Sequence, residues 1–270
     1  VPPHPSIDAI NRRIMASPRA VKTYAQAEDV WPAERAIYDR IREQVRGRPI
    51  LDLGVGGGRT VRPLLELSAD YVGVDYTPAM VETCRRAFPG VRFESADARD
   101  LSRFPASHFA LVVFSCCGLG MVDHAGRLRV LAEVRRLLVP GGIFAFSMHN
   151  RLSPEFSEGL AMPPVEPARD PLRRAVRAVR RVVQTARSAA NRLRYRRHEV
   201  HTRQYAIIND RCFDYATMLY YITLEEQRAQ LARAGFEPDA EAFDLQGRPA
   251  TPDSTDNALC LLARTKADVG

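Results

Sequence analysis

The sequence predicts a doubly wound α/β fold with a mostly parallel sheet, and three observations carry that reading. From residue 49 onward, short apolar runs alternate with segments of helical periodicity. The first apolar run ends in a glycine-rich loop, as ligand-binding strands of open parallel sheets do. Proline and glycine then punctuate the helix ends, at Pro140-Gly141-Gly142 and at Gly235. Apolar residues at 46% and charged residues at 26% leave ample core material over 270 residues and exclude a disordered, collagenous or coiled-coil chain.

The elements follow in order. Residues 33–45 read as an extra helix, with Trp31-Pro32 at its start. Residues 50–53 are a buried strand, 59–68 a helix and 71–75 a second strand. Thr77-Pro78 suits a helix start, with Thr77 as N-cap and Pro78 in the first turn. Residues 91–95 form the third strand, and 109–115, the most apolar run, the fourth. A helix over 127–138 leads to a fifth strand over 143–148. After an interruption come a helix over 224–234, a strand through 236–243 and a last strand over 258–263. The resulting division is an N-terminal helical segment or lid (1–47), a cofactor-binding core (48–150), a basic helical insertion with an acceptor-side cap (151–223) and the C-terminal part of the core (224–270).

Positive charge is concentrated in the interruption. The chain carries +7, and all but two of its basic residues (Lys22 and Lys266) are arginine. Residues 151–205 hold thirteen arginines against five acids, a local +8 that leaves the remainder near neutral. Within it, Leu172, Ala175, Val176, Val179, Val182 and Val183 recur at helical spacing with arginines between them. A solvated helix is one reading of residues 169–197; an anionic membrane surface or an acidic partner is the other. Nucleic acid is disfavoured, because few aromatics interleave with the arginines.

The loop itself reads Asp52-Leu53-Gly54-Val55-Gly56-Gly57-Gly58-Arg59-Thr60. Glycines there permit positive φ and close approach of a ligand to the backbone. Asp75, 21 residues beyond Gly54, ends the second strand, where a carboxylate can accept both hydroxyl protons of a ribose. Asp97-Ala98 ends the third, where an aspartate can receive an adenine amino group. A dinucleotide fingerprint needs a small residue where Arg59 stands, so NAD is disfavoured. No phosphate-binding G-x-x-x-x-G-K-[ST] loop follows either.

Taken together, Asp52-Leu53-Gly54-Val55-Gly56-Gly57-Gly58 resembles the D-x-G-x-G-x-G motif of class I S-adenosylmethionine-dependent methyltransferases of the bacterial small-molecule type. Val74-Asp75 resembles their ribose-binding acid, Ala96-Asp97-Ala98 their adenine-contacting segment, and residues 137–142 their turn into the fifth strand. The likeness runs over about residues 48–150 and again over 224–264. It implies a seven-stranded, Rossmann-like sheet of order 3-2-1-4-5-7-6 with the last strand antiparallel. It implies S-adenosyl-L-methionine as cofactor and S-adenosyl-L-homocysteine as product. Carried over by residue, Asp52, Gly54, Val55, Gly56 and Gly58 belong to the cofactor loop, Asp75 to the ribose, and Tyr76, Met80, Asp97 and Ala98 to the adenine. Ser115 and Cys116 then follow the fourth strand, toward the methionine end and the acceptor.

Methyl transfer from a sulfonium needs an acceptor held on axis, and a base only where the acceptor must lose a proton. His149, just past the fifth strand, is the candidate base; His124 reads as structural. Tyr24 and Trp31 in a lid, with His149, Tyr220 and Tyr221, are the candidate acceptor-side residues. Ser115-Cys116-Cys117-Gly118 lacks the [DNS]-P-P-[YFW] motif of enzymes that methylate exocyclic base amines. The expectation is therefore methyl transfer to an oxygen or nitrogen of a small metabolite or glycan precursor. The alternatives are an RNA or protein methyltransferase docking through the arginines, and a non-enzymatic cofactor-binding scaffold. Five cysteines without C-x-x-C spacing suit neither a disulfide framework nor a cysteine zinc site, and no metal is expected. No apolar run reaches 18 residues and the start lacks the pattern of a secretory leader, so a cytoplasmic chain, peripheral to the membrane if its basic helix binds lipid, is the expectation.

Overall fold

The computed structural model describes residues 6–27, 29–157 and 170–267. The chain start and residues 158–169, which the sequence reading placed in the lid segment and the basic insertion, lie outside the described residues, as do the side chains of residues 171–173.

Three helices precede the sheet: α1 (Ile7–Met15), α2 (Pro18–Ala25) and α3 (Pro32–Val45). Each starts where a side chain satisfies an orphan backbone group. The Ala9 N–H donates to Ser6 Oγ at 3.2 Å and Ala20 N–H to Ser17 Oγ at 3.3 Å, while Trp31 N–H donates to Glu34 Oε2 at 2.7 Å.

The core then alternates as expected: β1 (Ile50–Leu53), α4 (Val61–Leu65), β2 (Tyr71–Asp75), α5 (Pro78–Ala87), β3 (Arg92–Ser95), β4 (Phe109–Phe114), α6 (His124–Leu137) and β5 (Leu138–Asn150). Helix α4 is shorter than its sequence pattern, and β5 longer, since the chain leaves α6 directly into extended backbone. Thr77 stands at the head of α5 but makes no capping bond; its N–H instead donates to Asp75 Oδ1 at 2.7 Å.

Beyond β5 lie α7 (Pro154–Ser157), α8 (Pro171–Tyr195), β6 (Val200–His201), β7 (Tyr205–Asp210), a single turn α9 (Cys212–Tyr215) and β8 (Thr217–Ile222). The antiparallel strands β6, β7 and β8 were not legible in a segment read by its charge as helical. The chain closes with α10 (Leu224–Arg233), β9 (Glu241–Phe243) and β10 (Ala258–Arg264). The strand expected from 236 begins only at Glu241; Phe236 makes an isolated bridge to Thr265 after the left-handed Gly235.

Strands β3, β2, β1, β4 and β5 are parallel neighbours in that order. Strand β10 runs antiparallel along β5, from Ala258 opposite His149 to Arg264 opposite Ile143, with β9 outside it. This is the expected order 3-2-1-4-5-7-6 with the last strand antiparallel. Past Phe146, where β4 ends, β8 takes over the same edge of β5 through His149↔Tyr221 and Asn150↔Ile222. The hairpins β8-β7-β6 thus extend the sheet beyond the carboxyl ends of the core strands.

Both faces of the sheet are covered, so its central strands carry no polar alternation. Leu51, Leu53, Val72, Val74 and Phe144 pack on one side with residues of α6 and α10. Ile50, Tyr71, Leu111, Val113 and Ile143 pack on the other with α3, α4 and α5. Each such buried aliphatic contributes roughly 1.5–3 kcal/mol. Among the described residues, no helix is long and apolar enough to cross a membrane.

Candidate cofactor and acceptor site

A cavity of about 320 Å³ opens at the carboxyl ends of β1, β2 and β4, the position that ligands take in open parallel sheets. The loop after β1 forms its floor. Gly56 has φ +56°, and an added Cβ would project into open space between Gly54 O and Tyr24, 3.8 Å or more from either. The missing side chain is therefore a path that a ligand can occupy. At Gly57 the constraint is different: a Cβ would lie 2.3 Å from the Tyr24 carbonyl oxygen, so this glycine lets the end of α2 close onto the loop. Tyr24, with Met15, Thr23 and Trp31, walls the side opposite the sheet.

Asp75 lines the cavity and is oriented by two backbone donors, Gly56 N–H at 3.0 Å and Thr77 N–H at 2.7 Å. Burial raises its carboxyl above the ordinary value, and those two bonds oppose the rise. One donor on each oxygen leaves lone pairs for vicinal hydroxyls. Tyr76, Met80 and Ala98 line the same end. The guanidinium of Arg12, from α1, lies 4.6 Å from the Tyr76 ring centroid, in cation–π contact.

At the other end stand Gly54, Val55, Arg59, Ser115 and Cys116. Arg59 donates to both oxygens of Glu34, at 2.6 and 2.9 Å, and to Ser115 Oγ at 2.6 Å; Ser115 in turn donates to Glu34. The Arg59 guanidinium also lies 5.4 Å from the Trp31 ring centroid. Cys116 and Cys117 both adopt left-handed backbone, at φ +50° and +55°. Cys117 N–H is held by Ser147 Oγ at 2.7 Å, so β5 anchors this strained corner.

Several residues that the sequence singled out lie outside the cavity lining. Asp52 is fully buried beneath the loop, where it accepts bonds from Thr60 Oγ1 and from Tyr71 Oη at 2.8 Å. Burial pushes its carboxyl up to about 7 against those bonds. A Cβ on Gly58 would meet Phe88, so that residue serves the loop's packing on α5. The Asp97 carboxylate is taken by Arg12 and Arg99, the latter at 2.7 Å. Burial would raise it, but the bonds from Arg99 and the charge of Arg12 hold it at about 2. Its neighbours Ala96 and Ala98 line the cavity in its place.

The acceptor-side group divides in the same way. Tyr24 and Trp31 line the cavity; His149, Tyr220 and Tyr221 are not among its walls. His149 sits behind the turn at residues 118–121, where a Cβ on Gly120 would be 3.3 Å from its ring. It stacks on Tyr221 at 5.0 Å, and burial lowers its pKa. Tyr221 donates to Asp210 at 2.6 Å, and the Tyr220 hydroxyl meets His124 Nδ1 at 2.8 Å. Arg59 and Glu34 are the site residues the sequence reading missed. Arg59 was visible only as the residue that breaks a dinucleotide fingerprint, and Glu34 only as a helix residue.

The geometry fits a nucleoside with an amino-acid tail: a pinned carboxylate for the ribose, a side-chain-free path past Gly56, and a polar Arg59–Glu34–Ser115 cluster at the far end. This is the class of doubly wound nucleoside-binding domains, and the comparisons narrow it. Residues 50–142 match the family model described as a methyltransferase domain. Trans-aconitate 2-methyltransferase of Acidovorax sp. (strain JS42) is 35% identical over 107 residues, which are 39% of this chain and 40% of that protein. The chain thus matches about two fifths of that relative's length. The CcbJ methyltransferase of Streptomyces caelestis superposes with a TM-score of 0.58 at 20% identity, covering 87% of this chain and 90% of that one. The 1,6-didemethyltoxoflavin-N1-methyltransferase of Burkholderia thailandensis, solved with 1,6-didemethyltoxoflavin and S-adenosylhomocysteine, gives 0.58 at 16% identity over 98% and 92%. These two show a shared fold. Residues 50–142 are thus similar to the methyltransferase domain of S-adenosylmethionine-dependent enzymes, and the chain shares their fold.

Proposed function

We propose that this protein transfers a methyl group to an oxygen or nitrogen of a small-molecule acceptor. The observation that carries the reading is the cavity between Asp75 and Arg59, floored by a glycine-rich loop and walled by Tyr24 and Trp31. When bound, S-adenosyl-L-methionine supplies a methyl group activated on a sulfonium. Asp75 holds the ribose hydroxyls, and Tyr76, Met80 and Ala98 pack the adenine. Gly54, Val55 and Gly56 leave room for the tail, and the Arg59–Glu34–Ser115 cluster closes the far end of the cavity. Tyr24 and Trp31 exclude water and, with the Cys116 corner, orient the acceptor on the sulfonium side.

His149 lies behind the 118–121 turn, so the chain works by proximity and orientation, with no imidazole at the reacting atoms. That favours acceptors that attack without first losing a proton to the protein, such as carboxylates and neutral amines. Among the relatives, the name trans-aconitate 2-methyltransferase describes a protein acting on a carboxylic acid. Labelled methyl transfer to panels of carboxylic acids, amines and phenols tests the reading. Turnover on carboxylates or amines supports it; turnover confined to phenols would require a base, and turnover only on RNA or protein would replace it.

A further inference from the structure

Helix α8 is seated the wrong way round for a helix that stabilises a core. Its 25 residues span about 37 Å and contain no acid. Gln184, Ser188, Asn191 and Tyr195, at the i, i+4, i+7, i+11 spacing of one face, turn toward the protein. Gln184 Nε2 donates to Asp214 Oδ1 and Asn191 Nδ2 to the Asp214 carbonyl, both at 2.9 Å, while Ser188 and Tyr195 are buried. The opposite face is apolar and faces out. Val179 is 64% exposed, Val182 68% and Leu193 74%, with Val176, Val183, Ala186 and Ala190 exposed between them. A water-facing helix buries this stripe and exposes the polar one; here the order is inverted.

Arginines border the stripe. Arg180, Arg187 and Arg194 recur every seven residues along one margin and are exposed, and Arg174 and Arg192 flank the other. We propose that the outward face of α8 docks on an anionic membrane surface, with Val179, Val182, Val183 and Leu193 entering the acyl boundary and the flanking arginines meeting lipid phosphates. A second copy of the chain is the poorer occupant, because pairing these faces brings together two helices that each hold eight arginines and no acid. The anchorage also reaches the cofactor cavity. Asp214 binds Arg19 of α2 as well as α8, and Phe213 lies 6.2 Å from the Tyr24 ring, so docking sets the lid beside the surface.

Co-sedimentation of the full chain with vesicles of phosphatidylcholine, alone or with phosphatidylglycerol, tests this. Binding is expected on the anionic vesicles only and weakens as salt rises. Val179→Asp with Val183→Asp lowers that binding more than tenfold while cofactor affinity and Tm stay unchanged, since both side chains are exposed. Failure to bind anionic vesicles overturns the proposal, as does undiminished binding by the double variant. A dimer in solution that the same variant dissociates would assign the face to a second copy and overturn it equally.

Discussion

The Arg59 guanidinium and the Glu34 carboxylate meet through two hydrogen bonds, 2.6 and 2.9 Å long, with only 12% and 6% of the two side chains exposed. Glycine-loop and α3 residues are thereby joined at the end of the cavity where Ser115 also bonds to both partners. In a site this dry, removing one partner leaves the other charge uncompensated.

Glu34→Ala should therefore destabilise the fold by about 3–5 kcal/mol, the range found when one member of a buried pair is lost. It should also weaken S-adenosylhomocysteine binding, because Arg59 loses its orientation. Urea unfolding and a binding titration measure the two effects. Wild-type stability would mean that water already solvates the pair.

Gly57→Ala tests the lid. The new methyl would sit where the Tyr24 carbonyl now lies, so the end of α2 must lift. Faster cofactor dissociation in stopped-flow fluorescence is expected, together with a lower Tm, because the clash is with backbone and α2 loses its packing on the loop. An unchanged off-rate would separate α2 from cofactor retention.

Asp52 gives stability a pH dependence of definite sign. Burial raises its folded pKa to about 7, well above the ~3.9 of an unfolded aspartate. The native state therefore holds a proton that the unfolded chain releases. Its contribution is full below the unfolded pKa and is lost as pH rises through about 7. Between about pH 5 and 8, the Tm of the wild type should fall by about 5 °C more than that of Asp52→Asn. Parallel Tm profiles would show that Asp52 is ionised throughout.

His149→Phe should leave methyl transfer within about threefold of wild type, since the imidazole is a packing partner of Tyr221. A drop of about 10²–10⁴ in turnover would reveal a general base brought forward from behind the 118–121 turn.

Strands β1 to β5 were legible because buried parallel strands must be apolar on both faces, and the glycines and Asp75 because their chemistry is local to strand ends. What escaped the sequence depends on contacts between distant segments. The motif marks Asp97 as an adenine-side residue but is silent on Arg12, which reaches it across 85 residues. Tyr220 and Tyr221 were read as pocket walls, yet β8 pairs with β5 and turns their hydroxyls to His124 and Asp210. The stripe of valines in α8 was visible, but periodicity says which residues share a face and is silent on which way that face points.

The central claim is that the carboxylate of Asp75, pinned by Gly56 and Thr77, recognises the ribose of S-adenosylmethionine. Calorimetric titration of S-adenosylhomocysteine into the wild type and Asp75→Ala tests it most directly. The account predicts saturable one-to-one binding by the wild type and at least tenfold weaker binding, about 1.4 kcal/mol, by a variant that stays folded. Equal affinity in the two proteins, or no binding by the wild type, would contradict it.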